Sequence, residues 1–304
     1  MLDRYVAQVR LLLSTLQDIA NEAVFAPKGG TAINLFYRDM PRLSVDIDLT
    51  YLPVADRQSS LQDIDDALDR IVVAIARRNP RVEARRAAGG GNADTRIMVS
   101  DGQSQIKIET SPIARGAVYP ARTMTASEAV TELFGFVETT VLAFEDVYGG
   151  KLAAALDRQH PRDLYDVKLL YENEGLTADL FRTFMVYVAS SGRPMHELLA
   201  PAAPLREDLY GEEFVGMTRQ PVSWDALIET RRRLHADIGS RLTGDVADFL
   251  VALHDAEPDF HLIGVPEAAE LPAVRWKLVN LEKLKQADPR KHQIQRDALV
   301  RLFR

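Results

Sequence analysis

The most informative part of the chain is residues 42–49, Arg42-Leu43-Ser44-Val45-Asp46-Ile47-Asp48-Leu49. Apolar and polar side chains alternate along it, which is the period of a β-strand with one buried face. The polar face carries Ser44, Asp46 and Asp48. Two carboxylates at positions i and i+2 project to the same side, close enough to hold one or two hard cations. The stretch therefore predicts a strand with a Mg²⁺-binding face, against the alternative of a solvated edge strand.

A glycine turn precedes this strand. Apolar residues 24–26 lead into Lys28-Gly29-Gly30-Thr31, and a helical pattern follows as far as Asp39. Glycines between a strand and a helix let backbone N–H groups approach phosphate oxygens, and a hydroxyl adds a donor. The alternative is a plain turn, and no Walker A lysine follows the glycines. We assign nucleotide binding to four residues here, Gly29, Gly30, Thr31 and Ser44.

A predicted hairpin supplies a third carboxylate. Residues 96–99 and 105–109 flank the turn signal Asp101-Gly102, and Lys107 and Glu109 share one face of the second strand. We predict that Glu109 joins the two aspartates as a metal ligand. Two Mg²⁺ ions held by three carboxylates would clamp a nucleoside triphosphate for an in-line displacement. The glycine run at 89–92, upstream of the hairpin, predicts a surface loop.

Two helices are predicted further on, at 143–158 and 161–172. The first carries Gly149 and Gly150 directly before Lys151. Each glycine inside a helix is unfavourable by roughly 1 kcal/mol relative to alanine, so a close approach to another group is expected to compensate. We predict that Lys151 contacts the triphosphate, where a point cation offsets developing charge. The alternative is a plain surface lysine.

Asp163 and Asp166 lie three residues apart on the second of these helices and share a face. Either can pair with Lys151 or Arg162, or can take the proton from an acceptor hydroxyl. For Asp163 there is a further alternative, because an acidic residue in the first turn complements the helix dipole. Both aspartates are candidate catalytic residues.

The composition sets limits on the chemistry. The chain has 304 residues, 46% hydrophobic and 27% charged, which allows two domains or one large domain with a helical extension. It has no cysteine, so thiolate nucleophiles, disulfides, iron–sulfur clusters and cysteine zinc sites are excluded. The six histidines show no ligand spacing. No apolar stretch approaches the roughly 20 residues of a membrane helix, and we predict a cytoplasmic protein without a membrane partner.

Charge is unevenly distributed along the chain, whose net charge is −7. Residues 275–304 carry nine lysines and arginines against Glu282, Asp288 and Asp297. Such a segment is either a solvated helical face or a surface for a polyanionic acceptor, whose phosphates lysine and arginine neutralise. The basic residues are Arg275, Lys277, Lys283, Lys285, Arg290, Lys291, Arg296, Arg301 and Arg304.

The ordered motifs together resemble the AbiEii/AbiGii-type nucleotidyltransferase toxins, a group that includes the MenT-type toxins. The resemblance spans nearly the whole chain and rests on Gly29-Gly30-Thr31, residues 42–49, Ile106-Lys107-Ile108-Glu109, Lys151 with Arg158, Pro161-Arg162-Asp163-Leu164-Tyr165-Asp166, and the C-terminal Arg275-Trp276-Lys277-Leu278 with Pro289-Arg290-Lys291-His292. It implies a nucleotidyltransferase fold with a helical C-terminal domain, nucleoside triphosphate and Mg²⁺ as substrate and cofactor, and a toxin–antitoxin or phage-defence setting with a cognate antitoxin. For MenT-type members it also implies transfer of nucleotides to tRNA acceptor ends.

These observations lead to an α/β prediction, with a mixed β-sheet flanked by helices in a catalytic domain at 1–172. A mainly helical domain at 173–304 is predicted to help form the acceptor cleft. The predicted reaction is Mg²⁺-dependent nucleotidyl transfer to RNA, with tRNA as the favoured acceptor. Two alternatives stay open: nucleotidylation of a protein or small molecule, and an inactive nucleotide-binding protein that acts by sequestering a partner.

Overall fold

The computed structural model describes residues 3–88 and 95–303, with side chains from residue 6 onward. The predicted loop at 89–92 and the basic residue Arg304 lie outside the described residues. The chain divides into two compact units. The first unit comprises Met1–Val147 and Val215–Pro221, and the second comprises Tyr148–Phe214 and Val222–Arg304. The predicted functional boundary at residue 172 stays a prediction.

The first unit is built on a five-stranded sheet with the order β1-β2-β5-β4-β3. Strands β2 and β5 are parallel, and the other neighbouring pairs are antiparallel. The sheet is therefore mixed, as predicted. The strands are β1 (Phe25–Lys28), β2 (Asp46–Tyr51), β3 (Glu83–Ala87), β4 (Arg96–Ser100) and β5 (Gln105–Thr110).

Helices and a small second sheet complete the first unit. Helix α1 packs against β5 and against α3, which also contacts β3. The sheet's apolar face is fully buried at Ile47, Leu49 and Ile108. A π-helix, Ile33–Tyr37, continues α2 directly. The other elements are α1 (Asp3–Ile19), α2 (Gly29–Ala32), α3 (Arg57–Arg78), β6 (Arg122–Thr125), α4 (Glu128–Phe134) and β7 (Glu138–Val141), with β6 and β7 paired as an antiparallel ribbon.

Strand β2 begins later than the sequence predicts. Its alternation starts at Leu43, but the ladder with β1 and β5 starts at Asp46. The residues before it pair elsewhere: the Leu43 N–H donates to the Met217 carbonyl at 2.9 Å, and Arg42 forms an isolated bridge with Thr218. The predicted face is nevertheless correct, because Leu43 and Ile47 are fully buried and the two aspartates are partly exposed.

The second unit is helical. The predicted helices at 143–158 and 161–172 are confirmed as α5 (Phe144–Asp157), which starts in the first unit, and α6 (Pro161–Asn173). In this unit α6 packs against α10, and α12 packs against α7 and α13. Among the described residues, no helix combines the length and apolar character needed to cross a membrane. The remaining helices are α7 (Ala178–Ser190), α8 (Met195–Leu199), α9 (Glu207–Glu213), α10 (Trp224–Ser240), α11 (Gly244–His254), a 3-10 turn (Pro266–Glu270), α12 (Pro272–Ala287) and α13 (Pro289–Val300).

Candidate active site

A row of charged residues crosses four adjacent strands of the sheet. Lys28 on β1 lies opposite Asp48 on β2, Asp48 lies opposite Glu109 on β5, and Glu109 lies opposite Arg96 on β4. Residues directly opposite one another in a ladder point to the same face. The sheet therefore brings Asp48 and Glu109 together in the centre of the row, with a cation at each end.

Asp46 starts the neighbouring row on the same face, opposite Lys107. The Glu109 carboxylate accepts from Lys107 Nζ at 2.8 Å and from Arg96 Nη2 at 2.7 Å. Burial acts to lower the pKa of Lys107, but the hydrogen bond to Glu109 and the negative charges of Asp46, Glu109 and Asp48 outweigh it and raise that pKa. The three carboxylates predicted as metal ligands therefore all stabilise the protonated form of Lys107.

Three cations, Lys107, Arg96 and Lys28, adjust the charge of this face. Burial acts to raise the pKa of Glu109, but its hydrogen bonds with Lys107 and Arg96 outweigh burial and lower the pKa. Glu109 therefore stays ionised. For Lys28 burial dominates and lowers the pKa, against the opposing effects of Asp48 and Glu109. A half-buried lysine beside two carboxylates marks a region from which water is partly excluded.

The glycine turn lies directly against this face. Gly29 has a positive φ of 65°, a conformation that favours glycine, and a Cβ there would lie 3.2 Å from Asp48 Oδ2. A Cβ at Gly30 would come within 2.6 Å of Arg42 Nη2 and 3.1 Å of Ser44 Oγ. The turn is therefore packed so closely that a side chain at either position would displace its neighbours.

Thr31 ties the turn to the acidic strand. Its hydroxyl lies 3.0 Å from Ser44 Oγ and donates a short hydrogen bond to the Asp46 carbonyl. Thr31 is 1% exposed, so its side chain serves this connection. The predicted set Gly29, Gly30, Thr31 and Ser44 is thus brought together with Asp46 and Asp48 in the first unit.

In the second unit, Lys151 lies in a buried ion cluster. Its Nζ is 2.7 Å from Asp163 Oδ1 and 3.0 Å from Asp166 Oδ2, and all three residues are at most 5% exposed. Arg158 adds a second cation, with Nε 2.6 Å from Asp163 Oδ2. Of the alternatives weighed for Lys151, the plain surface lysine is wrong.

The two aspartates of this cluster differ in their surroundings. Burial acts to raise the pKa of Asp163, but the charges of Lys151 and Arg158 and their hydrogen bonds hold it well below its usual range. Asp163 is therefore a weak proton acceptor. Asp166 is fully buried on the same helix face and reaches Lys151 through one carboxylate oxygen.

The structure shows the predicted close approach at the two glycines before Lys151. A Cβ at Gly149 would lie 3.0 Å from Thr183 Cγ2, and one at Gly150 would lie 3.1 Å from Tyr187 Cε1. Contacts of about 3 Å are tighter than usual for carbon atoms, so a side chain at either position would require the side chains of α7 to shift. The glycines let α5 and α7 approach each other and fix the helix that carries Lys151.

The donors of the first unit fit a divalent cation. Mg²⁺ in nucleotide sites is held by one or two carboxylates together with substrate phosphates and water, and Asp46 and Asp48 supply two such carboxylates beside the glycine turn. Within the described ranges, no three histidine, aspartate or glutamate side chains are arranged to hold an ion by themselves. Two carboxylates beside a glycine turn suit a hard cation whose other ligands are phosphate oxygens and water.

Two residues of this face have no role in the sequence-based prediction. Lys28 and Arg96 close the charged row at either end, and Arg96 holds Glu109. Their roles depend on strand order and register, which local patterns do not give. A signal was present in the sequence, since Lys28 directly precedes the glycine turn and Arg96 opens the predicted hairpin.

Comparison with known proteins shows similarity to a family model and to a solved structure. The family model for the nucleotidyl transferase AbiEii toxin of type IV toxin–antitoxin systems matches residues 10–280. Among solved structures, the chain is similar to MenT4, a nucleotidyltransferase toxin from Mycobacterium tuberculosis H37Rv, with a TM-score of 0.61 and 16% identity over 91% of this chain and 93% of that one. At that identity the likeness shows the fold. No curated protein matches the chain in sequence.

Proposed function

The chain belongs to the AbiEii nucleotidyltransferase toxin family, and from that premise we propose that it transfers a nucleoside monophosphate from a nucleoside triphosphate to RNA. The favoured acceptor is the 3′ end of tRNA in the cytoplasm, where the transfer would block translation. The observation that carries the proposal is the meeting of Asp46, Asp48 and Glu109 on one sheet face, directly against the glycine turn.

Each residue has a proposed part in binding. Backbone N–H groups of Gly29 and Gly30 face the triphosphate, with Thr31 and Ser44 holding the turn in place. Asp46 and Asp48 would hold Mg²⁺, and Glu109 would become the third ligand where the ion takes the place of Lys107 or Arg96 at its carboxylate. When bound, the ion neutralises the phosphates and stabilises the charge that develops on the leaving group. Lys151 supplies a further cation to the triphosphate.

The proposed reaction is an in-line displacement at the α-phosphorus. The acceptor hydroxyl oxygen forms a bond to this phosphorus, the bond to the β-phosphate oxygen breaks, and pyrophosphate leaves. The hydroxyl proton passes to a carboxylate. We assign that role to Asp166 in preference to Asp163, because two cations hold the Asp163 charge and lower its affinity for a proton. Asp163 then acts as a positioning residue for Lys151.

A labelling experiment tests the proposed function. The protein is incubated with Mg²⁺, each of the four α-labelled nucleoside triphosphates in turn, total RNA and cell lysate. We expect label in RNA of tRNA size, and none with Asp46→Asn, which keeps the side-chain shape but removes the charge. Label in protein or in a small molecule would overturn the RNA acceptor. Label nowhere, with triphosphate still bound, would favour the inactive binding protein.

The cellular setting follows from family membership. Toxins of this family belong to toxin–antitoxin systems, so we propose a cognate antitoxin protein on another chain as a partner. A phage-defence role is part of the same proposal. Co-expression with the neighbouring gene product, followed by growth measurement and the labelling assay, tests whether that product relieves toxicity.

A further inference from the structure

A cavity of about 170 Å³ lies inside the second unit, at the end of α7 and against α12 and α13. Its polar lining includes Lys277, Lys291, Asn280 and Gln295, and no aspartate or glutamate is among its lining residues. A pocket with two lysines, two amides and no carboxylate is suited to an anion.

Lys277 is the buried cation of this cavity. It is 5% exposed, and its Nζ donates to the carbonyls of Ser191 at 2.8 Å and Arg193 at 2.6 Å. An ammonium group has three donors, so these two bonds leave one. Burial lowers the pKa of Lys277 to about 8, which still leaves most of the group protonated at neutral pH. Buried charges are normally paired, yet the described residues place no carboxylate within ion-pair distance of Lys277.

A purely structural role explains only part of this arrangement. A lysine near a helix C-terminus stabilises the last carbonyls, and Ser191 is the C-cap residue directly after α7. That role accounts for the two carbonyl bonds. It does not account for the second lysine of the lining, Lys291, or for the absence of acidic groups from the lining.

The mouth of the cavity carries an exposed aromatic ring. Trp276 lines the cavity, is 50% exposed, and has Lys283 Nζ 5.8 Å from its ring centroid. Two acidic residues of this region, Asp255 and Asp288, have partners of their own. Asp255 pairs with Arg296 at 3.1 Å, and Asp288 accepts from the Lys291 backbone N–H at 2.9 Å. The mouth therefore combines an exposed aromatic face with a lysine amino group beside it.

We propose that this cavity binds a phosphate group of single-stranded RNA through Lys277 and Lys291, with a neighbouring base stacked on Trp276. A sequence-tolerant site for single strands needs these two components, a cation for the backbone and an aromatic face for a base. The inference rests on the proposed function, since the RNA would be the acceptor. It names a binding site in the second unit, separate from the residues that transfer the nucleotide.

Binding of a fluorescein-labelled single-stranded oligoribonucleotide to the full chain, followed by anisotropy, tests the site. We expect Trp276→Ala and Lys291→Gln each to raise the Kd about tenfold, in line with the loss of one stacked base or one phosphate contact. Matched controls lie outside the lining: Val279→Ala on α12 for the aromatic change and Arg182→Gln on α7 for the charge change. Both controls should bind nearly as tightly as the unmodified protein.

Further measurements separate this inference from folding and from the proposed reaction. Thermal unfolding of the Trp276 and Lys291 variants should be unchanged, because both side chains are exposed. Triphosphate binding should also be unchanged. The proposed site would be overturned if the control variants lost as much affinity for the oligoribonucleotide as the Trp276 and Lys291 variants, or if no variant lost affinity. Tighter binding of a phosphoserine peptide than of the oligoribonucleotide would assign the cavity to a protein partner and overturn the RNA proposal.

The labelling assay distinguishes failure of the proposed binding site from failure of the proposed reaction. If RNA binds through Trp276 and Lys291 but no label is transferred, the proposed reaction fails and the binding site stands. If label is transferred to RNA at the unmodified rate and KM by both variants, the reaction stands and the cavity is not part of acceptor binding.

Discussion

Asp163 is a buried carboxylate that orients the cation Lys151. Its carboxylate is 1% exposed and accepts from Lys151 and Arg158, so nearly all of its hydrogen-bonding capacity faces cations. Removal of the Asp163 charge leaves the buried Lys151 with Asp166 as its carboxylate partner and removes the contact of Arg158 with the cluster. The geometry therefore makes the orientation of Lys151 dependent on Asp163.

We expect Asp163→Asn to lower the free energy of unfolding by about 3 kcal/mol at pH 7. The pKa of Asp163 is lowered on folding, so its stabilisation is present above the unfolded-state pKa of about 3.9 and is lost as the pH falls toward the folded-state value. Urea unfolding between pH 7 and pH 3 should therefore show a shallower loss of stability for the variant below about pH 5. The exposed pair Arg232–Glu229 provides the control, Glu229→Gln, which should leave both stability and pH profile unchanged. Equal pH profiles for Asp163→Asn and the unmodified protein would contradict this account.

For single residues, the sequence alone predicts which side chains share one face of a strand, because strand side chains alternate with a two-residue period. The shared face of Asp46 and Asp48 follows from alternation, and the structure confirms it. Alternation also places Lys107 on the same face of β5 as Glu109. It does not predict that Asp48 and Arg96 lie opposite Glu109 on the neighbouring strands, because those contacts depend on strand register. The catalytic and ligand roles of these residues stay predictions.

Among the elements, the junction between β1 and α2 is the most constrained part of the first unit. Gly29 combines a positive φ with a close approach to Asp48. Gly102, in the β4–β5 turn, also has a positive φ, of 85°, but a Cβ there would meet no atom of the described residues within 4 Å. The two glycines therefore share the backbone requirement and differ in their surroundings.

This pair gives a matched test. We expect Gly29→Ala and Gly102→Ala each to lower the free energy of unfolding by about 1–2 kcal/mol, the penalty of a left-handed conformation. Only Gly29→Ala should also weaken triphosphate binding, because its methyl group would press on Asp48. Isothermal titration with a non-hydrolysable triphosphate and Mg²⁺ measures this difference. Equal affinities for the two variants would count against the glycine turn as the phosphate site.

Elements with a strong period are predictable, and those without one are missed. Strand β5 and helix α6 match their predicted positions closely. Strand β3 is missed because its sequence, Glu-Ala-Arg-Arg-Ala, has no apolar alternation; it lies at the edge of the sheet and is held by the register of β4. The ribbon of β6 and β7 is missed for a related reason, since the exposed β6 buries no residue of its own.

In the whole molecule, the two units are not continuous segments of the chain. Residues 215–221 belong to the first unit although residues 148–214, which precede them, belong to the second. The cause is local pairing, since Met217 and Arg219 bond the backbone at Leu43 and Pro41. Such long-range backbone pairs leave no periodic signal in the sequence.

Growth of cells that express the whole protein distinguishes transfer from sequestration. A nucleotidyl transfer enzyme needs the charge of Asp46, whereas a protein that acts by sequestering a partner needs only its surface. Asp46→Asn changes a half-buried side chain without changing its size, so fold and surface should be preserved. We expect induced expression of the unmodified chain to arrest bacterial growth, and expression of Asp46→Asn at equal protein level to permit it. Asp225→Asn, on the first turn of α10 in the second unit, serves as the charge-matched control and should stay toxic. Growth arrest by Asp46→Asn as complete as that by the unmodified chain would show that toxicity does not depend on transfer, and would favour sequestration.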